Sequence, residues 1–307
     1  MESTKKNNTL SRRKFLGTAV AATAAFTVIP LSRGASVKPD SKFGGVQVGA
    51  ITYSWRSMPG TAQDILRYCL QAGISSIELM SPVVEEFAGI PVATASNEER
   101  RKWRASVSMK KFVEFRKMYN DAGVNIHIAK FSPGEWTDEE IDYSFKAAKA
   151  LGASGVSNEI GEAAAKRLGP FAEKHGMYAI FHQHAQPADP NFSFDTFLSY
   201  SPANMLNFDA GHYFGCTGLH PNGIIERLHD RIVSIHLKDK TGPKSTPANT
   251  NMPWGKGEMP IADVLKLIKK EKWPIKCDIE LEYPVPEGSD AALEVKKCVE
   301  FCRPILS

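Results

Sequence analysis

The chain has 307 residues, and its 38 Lys and Arg residues against 34 Asp and Glu give a formal net charge of +4. The first 35 residues hold six of the basic residues and one acid, so 32 basic and 33 acidic residues follow them. A nucleic-acid-binding domain usually has a basic surface, and this balance argues against nucleic acid as a partner. The roughly 270 residues that follow are close to the about 250 typical of one (β/α)8 barrel.

Residues 1–35 have the pattern of a twin-arginine signal peptide. Ser11-Arg-Arg-Lys-Phe-Leu16 precedes an apolar run from Gly17 to Leu31, which is typical of such export signals. The run has about 15 residues, fewer than the roughly 20 that a spanning helix needs, so a membrane anchor is the less favoured alternative. We expect a periplasmic or exported protein with no stable membrane insertion after the leader is removed. A linker over residues 36–45 and a catalytic domain over residues 46–307 would follow.

Eight strand-like segments alternate with helical segments along the rest of the chain. Helix starts are marked by capping residues such as Thr61 and the capping box Thr137-Asp-Glu-Glu140. The predicted strands are 46–53, 76–80, 124–130, 153–159, 178–182, 205–209, 231–236 and 276–282. The predicted helices are 61–71, 109–121, 137–151, 161–175, 194–200, 221–228, 261–270 and 290–302.

This alternation predicts an α/β fold, a single (β/α)8 TIM barrel. An open doubly wound sheet is the alternative, but no glycine-rich phosphate loop follows any predicted strand. Two connections are long. Residues 81–105 are either a segment that covers the substrate or a solvated insertion, and residues 238–260 form the second long loop.

Acids and imidazoles end four of the predicted strands. Glu159, Asp209, His236 and Glu282 stand at the ends of the fourth, sixth, seventh and eighth strands. In a closed parallel barrel these ends meet at one rim, and carboxylate and imidazole ligands suit a catalytic divalent metal. Glu280 faces the same side as Glu282 because the two are two residues apart. Glu282 is preferred as the ligand because it lies nearer the strand end, and Glu280 is the alternative.

Further side chains at the same rim are candidates for catalysis. His182 and His184 are two residues apart and share a face, so one is a candidate ligand and the other a substrate contact. Lys238 is placed to polarise a carbonyl or to stabilise an enolate. The predicted catalytic residues are His182, Lys238 and Glu280.

The predicted substrate-binding residues also lie near strand ends or in loops. His212 lies three residues beyond Asp209 and is either a ligand or a substrate contact. Tyr53 and Trp254 offer stacking faces for a sugar, although either could equally be a packing residue. With His184, these three complete the predicted contacts to a small carbohydrate.

The order of these motifs resembles the sugar phosphate isomerase/epimerase family, which belongs to the xylose-isomerase-like barrels. The motifs are Ser157-Asn-Glu159, His182-Gln-His184, Asp209-Ala-Gly-His212, His236-Leu-Lys-Asp239 and Leu281-Glu-Tyr283. Asp-x-Gly-His and His-x-Lys-Asp are the most specific of these motifs. The resemblance implies one divalent metal (Mn, Co, Mg or Zn) held by a glutamate, an aspartate, a histidine and a second glutamate. His182 stands where many members have a glutamate on the fifth strand.

The resemblance also implies removal of a proton from a carbon next to a carbonyl. Some exported relatives act on 3-keto-glycosides as lyases or hydratases, and export argues against a phosphorylated substrate. We therefore expect a metal-dependent enzyme acting on a non-phosphorylated keto sugar or 3-keto-glycoside by β-elimination. An isomerase or epimerase acting on a free ketose is the alternative, and a non-catalytic sugar-binding barrel is a more remote one.

Overall fold

The computed structural model describes residues 38–92 and 94–307. The predicted signal peptide, residues 1–35, lies outside the described residues. Within the described ranges, no helix is both long enough and apolar enough to cross a membrane.

Eight parallel strands form a closed barrel, which confirms the predicted fold. Each strand pairs with the next, and the last pairs with the first, so the barrel has no open edge. The strands are β1 (Val46–Ile51), β2 (Ser76–Met80), β3 (Asn125–Lys130), β4 (Gly155–Glu159), β5 (Tyr178–His182), β6 (Asn204–Asp209), β7 (Ile232–Leu237) and β8 (Lys276–Ile279).

Helices connect these strands, and several begin and end as the sequence predicts. Thr61 and Thr137 form capping boxes with Asp64 and Glu140. The described helices are α1 (Ala62–Ala72), α2 (Ser81–Ala88), α3 (Asn97–Ser106), α4 (Lys110–Asp121), α5 (Asp138–Leu151), α6 (Glu162–His175), α7 (Phe194–Ser199), α8 (Ala210–Thr217), α9 (Asn222–Leu228), α10 (Ile261–Glu271) and α11 (Ala291–Leu306).

Some connections differ from the sequence interpretation. Part of the segment predicted as linker is a short strand, because Lys42–Phe43 pairs antiparallel with the start of β1. The segment 81–105 contains α2 and most of α3 rather than an irregular loop. α8 is an unpredicted helix that begins at the end of β6, where the Asp209 carboxylate accepts a hydrogen bond of 2.6 Å from the His212 backbone N–H.

β8 ends at Ile279, three residues before the predicted end at Glu282. The neighbouring chain after β1 turns into a single 3-10 turn, so it no longer pairs with β8. The Ser54 hydroxyl bonds to the end of β8 in place of a neighbouring strand. It donates to the Ile279 carbonyl at 3.2 Å and accepts from the Leu281 N–H at 3.0 Å. Glu280 and Glu282 therefore lie on the segment that follows the strand.

The interior of the barrel contains a buried polar network. His127 Nε2 lies 2.8 Å from Asp278 Oδ2, and its Nδ1 lies 2.8 Å from the Ser76 hydroxyl. The Ser234 hydroxyl also donates to Asp278. Gly49 of β1 leaves space for this network, since a Cβ there would lie 2.0 Å from Asp278 Oδ1 and 2.9 Å from the Ser76 carbonyl oxygen.

Gly49→Ala is therefore expected to destabilise the barrel. The added methyl group would force a buried, hydrogen-bonded carboxylate to move, and such overpacking costs about 1–3 kcal/mol. Urea unfolding followed by circular dichroism measures the loss. Gly60→Ala is the matched control, because its Cβ would have no atom within 4 Å. Equal free energies of unfolding for the two variants would contradict this account of the interior.

Candidate active site

Four buried groups converge at the carboxyl ends of the strands. His182 ends β5, Asp209 ends β6, His236 is the fifth residue of β7 and Glu280 follows β8. Each is at most 5% exposed, and their ligand atoms all lie within 4.8 Å of one another. We call His182, Asp209, His236 and Glu280 the quartet.

The nitrogens and oxygens of the quartet alternate in space. His182 Nε2 lies 3.2 Å from Asp209 Oδ2 and 3.9 Å from Glu280 Oε2. His236 Nδ1 lies 2.9 Å from Glu280 Oε2 and 3.9 Å from Asp209 Oδ2. A metal with bonds of about 2.1 Å would place tetrahedral ligand atoms about 3.4 Å apart. The spacing and the donor types therefore fit a divalent metal.

A carboxylate outside the quartet holds the far nitrogen of each imidazole. His182 Nδ1 lies 3.0 Å from Glu159 Oε2, and His236 Nε2 lies 2.6 Å from Glu78 Oε2. Such partners fix the ring orientation of metal-binding histidines and raise their basicity. We call Glu78 and Glu159 the outer carboxylates. They turn His182 Nε2 and His236 Nδ1 towards the acids of the quartet.

Glu78 is the functional residue that the sequence interpretation missed. It lies in the middle of β2, is fully buried, and also accepts a hydrogen bond of 2.7 Å from Asn207 Nδ2. Burial would raise its pKa, but the charge and hydrogen bond of His236 outweigh burial and lower the pKa to about 2. The available signal was a single acid in an otherwise apolar strand, Ser76-Ile-Glu-Leu-Met80.

Lys238 places an ammonium group beside the quartet. Its Nζ lies 2.9 Å from Asp209, 2.6 Å from Glu280 and 2.7 Å from Glu282. Burial would lower its pKa, but these three carboxylates raise it above the ordinary value. The same attraction outweighs burial at Asp209 and Glu280 and holds the pKa of both well below its usual range. Lys238 thus keeps its proton and is a hydrogen-bond donor and a charge partner, not a base.

Four side chains surround the quartet at the mouth of the barrel: Glu159, His184, His212 and Glu282. His184 is half exposed and its Nε2 lies 2.9 Å from Glu159 Oε2. On the opposite side of Glu159, Lys130 Nζ lies 2.5 Å from Oε1. Glu282 bonds to Lys238 rather than to the quartet. Two of the predicted ligands, Glu159 and Glu282, therefore lie at the mouth, while Glu280 and His182 are inside the quartet.

His212 has a buried ring nitrogen at the mouth without a hydrogen bond to the described residues. Its Nε2 is buried and has no hydrogen-bond partner in the described residues, although Asp209 and Glu282 lie 3.9 and 3.7 Å away. Burial, together with Lys238 and Lys240, lowers its pKa to about 4 against the opposing effect of Asp209. The neutral ring lies 4.8 Å from the ring of His184, centroid to centroid.

The two aromatic residues predicted to bind substrate have different environments. Tyr53 lies on the turn after β1, is 37% exposed, and has the Arg56 guanidinium 4.3 Å from its ring centroid. Trp254 packs edge-on against Phe301 of α11, with ring centroids 5.6 Å apart. The structure thus places Tyr53 on the surface and Trp254 in a packing contact.

The chain belongs to the xylose isomerase-like TIM barrel family, whose profile matches residues 95–304, more than half of the sequence. No curated protein sequence matches it.

Similar solved structures share the fold at low sequence identity. A sugar phosphate isomerase/epimerase from Parabacteroides distasonis is 20% identical, with a TM-score of 0.58 over 86% of this chain and 96% of that one. The probable 3-DHS dehydratase AsbF of Bacillus anthracis is 15% identical, with a TM-score of 0.57 over 83% and 98%. A D-psicose 3-epimerase, solved in the presence of D-fructose, is 11% identical, with a TM-score of 0.56 over 85% and 99%.

Proposed function

We propose that this protein is a divalent-metal-dependent enzyme that removes a proton next to the carbonyl of a non-phosphorylated keto sugar or 3-keto-glycoside. The observation that carries the proposal is the buried quartet, whose two imidazoles are each backed by an outer carboxylate. Elimination of a β-substituent completes the preferred reaction, and a dehydratase among the similar structures supports this choice. Twin-arginine export of the enzyme is part of the proposal and rests on the motif at Arg12-Arg13.

The residues that would hold the metal are the quartet, a set that differs from the predicted one. His182 replaces Glu159, because Glu159 is occupied by His182, His184 and Lys130. Glu280 replaces Glu282, because Glu280 Oε2 lies 2.9 Å from His236 Nδ1 within the quartet, whereas Glu282 lies nearer the mouth and is outside that cluster. A divalent metal bound there would polarise the carbonyl oxygen and neutralise the charge that develops on it.

The groups around the quartet supply the proton transfers. His212 Nε2 accepts the proton, because the ring is neutral, lies beside the quartet and has no hydrogen-bond partner in the described residues. Lys238 keeps its ammonium group beside the oxygen that becomes negative. Burial of the quartet excludes water, which strengthens both interactions.

An isomerase or epimerase acting on a free ketose is the second candidate. The observation that favours it is the second imidazole at the mouth. The ring centroids of His184 and His212 lie 4.8 Å apart, so one ring can return a proton that the other removes. The D-psicose 3-epimerase among the similar structures supports the same candidate.

Substitutions of the two neighbouring glutamates distinguish the ligand sets. Glu280→Gln is expected to lose stoichiometric metal, because a ligand carboxylate becomes a neutral amide. Glu282→Gln is the matched control and is expected to retain the metal. Elemental analysis of the purified proteins measures the content. Retention by Glu280→Gln together with loss by Glu282→Gln would restore the set predicted from the sequence.

Incubation of the mature protein with a 3-keto-glucoside and with free ketohexoses in D₂O tests the reaction. We expect release of the aglycone from the glycoside, detected by chromatography, because elimination expels the β-substituent. Deuterium incorporation into a free ketose without cleavage would instead establish the second candidate. Tightly bound metal with neither product would contradict the proposed function.

His212→Ala tests whether His212 is the general base. It should keep its metal and its fold but lose activity by about 10²–10⁴-fold, the usual contribution of a general base. Activity within threefold of the unsubstituted protein would assign proton removal to another group.

A further inference from the structure

The long segment after β7 folds back over the mouth of the barrel. Asp239–Lys240 and Asn251–Met252 pair as a short antiparallel ribbon in which Lys240 is directly opposite Asn251. Side chains of directly opposite residues lie on the same face of a ribbon. Asn251 Nδ2 reaches Glu282 Oε2 at 3.4 Å, so this face borders Lys238 and the quartet.

Lys240 is a buried cation without a salt-bridge partner. Its residue is only 4% exposed. In residues 38–92 and 94–307, no carboxylate lies within 4.0 Å of its Nζ. Lys238, two residues earlier, has three such carboxylates. A cation with so little contact with water and no partner is unfavourable, and a ligand that accepts hydrogen bonds from it would offset that cost.

Unpaired acceptors accompany the unpaired donor. The side-chain oxygens of Asn249 and Asn251 are buried and have no hydrogen-bond partner in the described residues. The bond from Asn251 Nδ2 to Glu282 leaves the Asn251 oxygen free.

Gly215 of α8 allows Asn249 and Lys240 to come together. A Cβ at Gly215 would lie 2.2 Å from Asn249 Oδ1 and 2.8 Å from Lys240 Cε. Both side chains therefore pack against the same point of the helix backbone. The Lys240 ammonium group and the two amide oxygens thus share one region, with no hydrogen bond among them.

Such a group matches hydroxyls better than it matches an anion. A hydroxyl group both donates and accepts, so a sugar diol can satisfy Lys240 and the asparagine oxygens together. A phosphate or carboxylate would accept from Lys240, but it would place negative charge against the two amide oxygens.

The charges of the site point in the same direction. Quartet imidazoles bind a metal in their neutral form. Five negative carboxylates around the site then face three ammonium groups and one divalent ion. The site therefore has no excess positive charge for an anionic ligand to offset. These groups are Glu78, Glu159, Asp209, Glu280 and Glu282 against Lys130, Lys238 and Lys240.

We propose that Lys240, Asn249 and Asn251 form a subsite that holds hydroxyl groups of a neutral sugar beside the quartet. This inference rests on the proposed function, because it assigns the substrate class of the same site. The subsite discriminates against phosphorylated and carboxylated sugars.

Thermal unfolding of the Mn²⁺-loaded protein with xylitol and with sodium sulfate tests the subsite. Lys240→Met removes the ammonium group, and Lys244→Met on the exposed part of the same loop is the matched control. General stabilisation by both solutes acts on all variants alike. We expect a saturable rise of Tm with xylitol in the unsubstituted protein and in Lys244→Met, and apparent affinity weaker by about tenfold or more in Lys240→Met. Sulfate should shift all three equally.

Two outcomes would overturn the subsite. An identical xylitol response in all three proteins would remove Lys240 from it, and a sulfate response that depends on Lys240 would make it an anion site. Asn251→Ala provides a second variant, and it too should weaken the xylitol response. Where a keto sugar is turned over, Lys240→Met should raise KM about tenfold with kcat changed less than threefold. A Lys240-dependent xylitol response without turnover of any keto sugar would reject the proposed function and leave the subsite standing.

Discussion

The site depends on the hydrogen bonds that hold two buried imidazoles between carboxylates. His182 lies between Glu159 and Asp209, and His236 lies between Glu78 and Glu280. Isolated charges at this depth would be very costly, so every member needs its neighbours. Burial opposes charge on His236, yet Glu280 and Glu78 together raise its pKa well above the ordinary value. Without a metal the cluster keeps protons where a metal would bind, and metal binding would release them.

The closed barrel makes this arrangement possible because it brings distant parts of the chain together. Glu78 and His236 are 158 residues apart in sequence and lie on β2 and β7. The polar network of Ser76, His127, Ser234 and Asp278 lies farther inside the barrel and fixes neighbouring strands. At the opposite end, α8 and the ribbon after β7 surround the mouth. The substrate therefore meets groups whose positions are set by strands below and by loop residues above.

Much of this could be predicted from the sequence, because strand ends in a parallel barrel meet at one face. Asp209, His236 and Lys238 were identified as site residues from their positions after apolar runs, and all three lie together. Sequence reasoning preferred Glu282 to Glu280 as the ligand, whereas Glu280 lies in the quartet. The difference depends on where β8 ends, and Ser54 sets that end through long-range hydrogen bonds. Glu78 was missed because its function requires His236, a contact between distant strands. The subsite residue Lys240 escaped notice because an unpaired lysine is recognisable only when its surroundings are known.

Anomalous diffraction from crystals of the Mn²⁺-loaded protein would show which residues hold the metal. We expect one strong anomalous peak within about 2.3 Å of His182 Nε2, His236 Nδ1, Asp209 and Glu280, with Glu78 and Glu159 holding the far nitrogens of the two rings. A peak bonded to Glu159 and Glu282, with His182 outside the coordination sphere, would contradict it. So would a protein that binds no metal while Lys238 keeps its place among the three carboxylates.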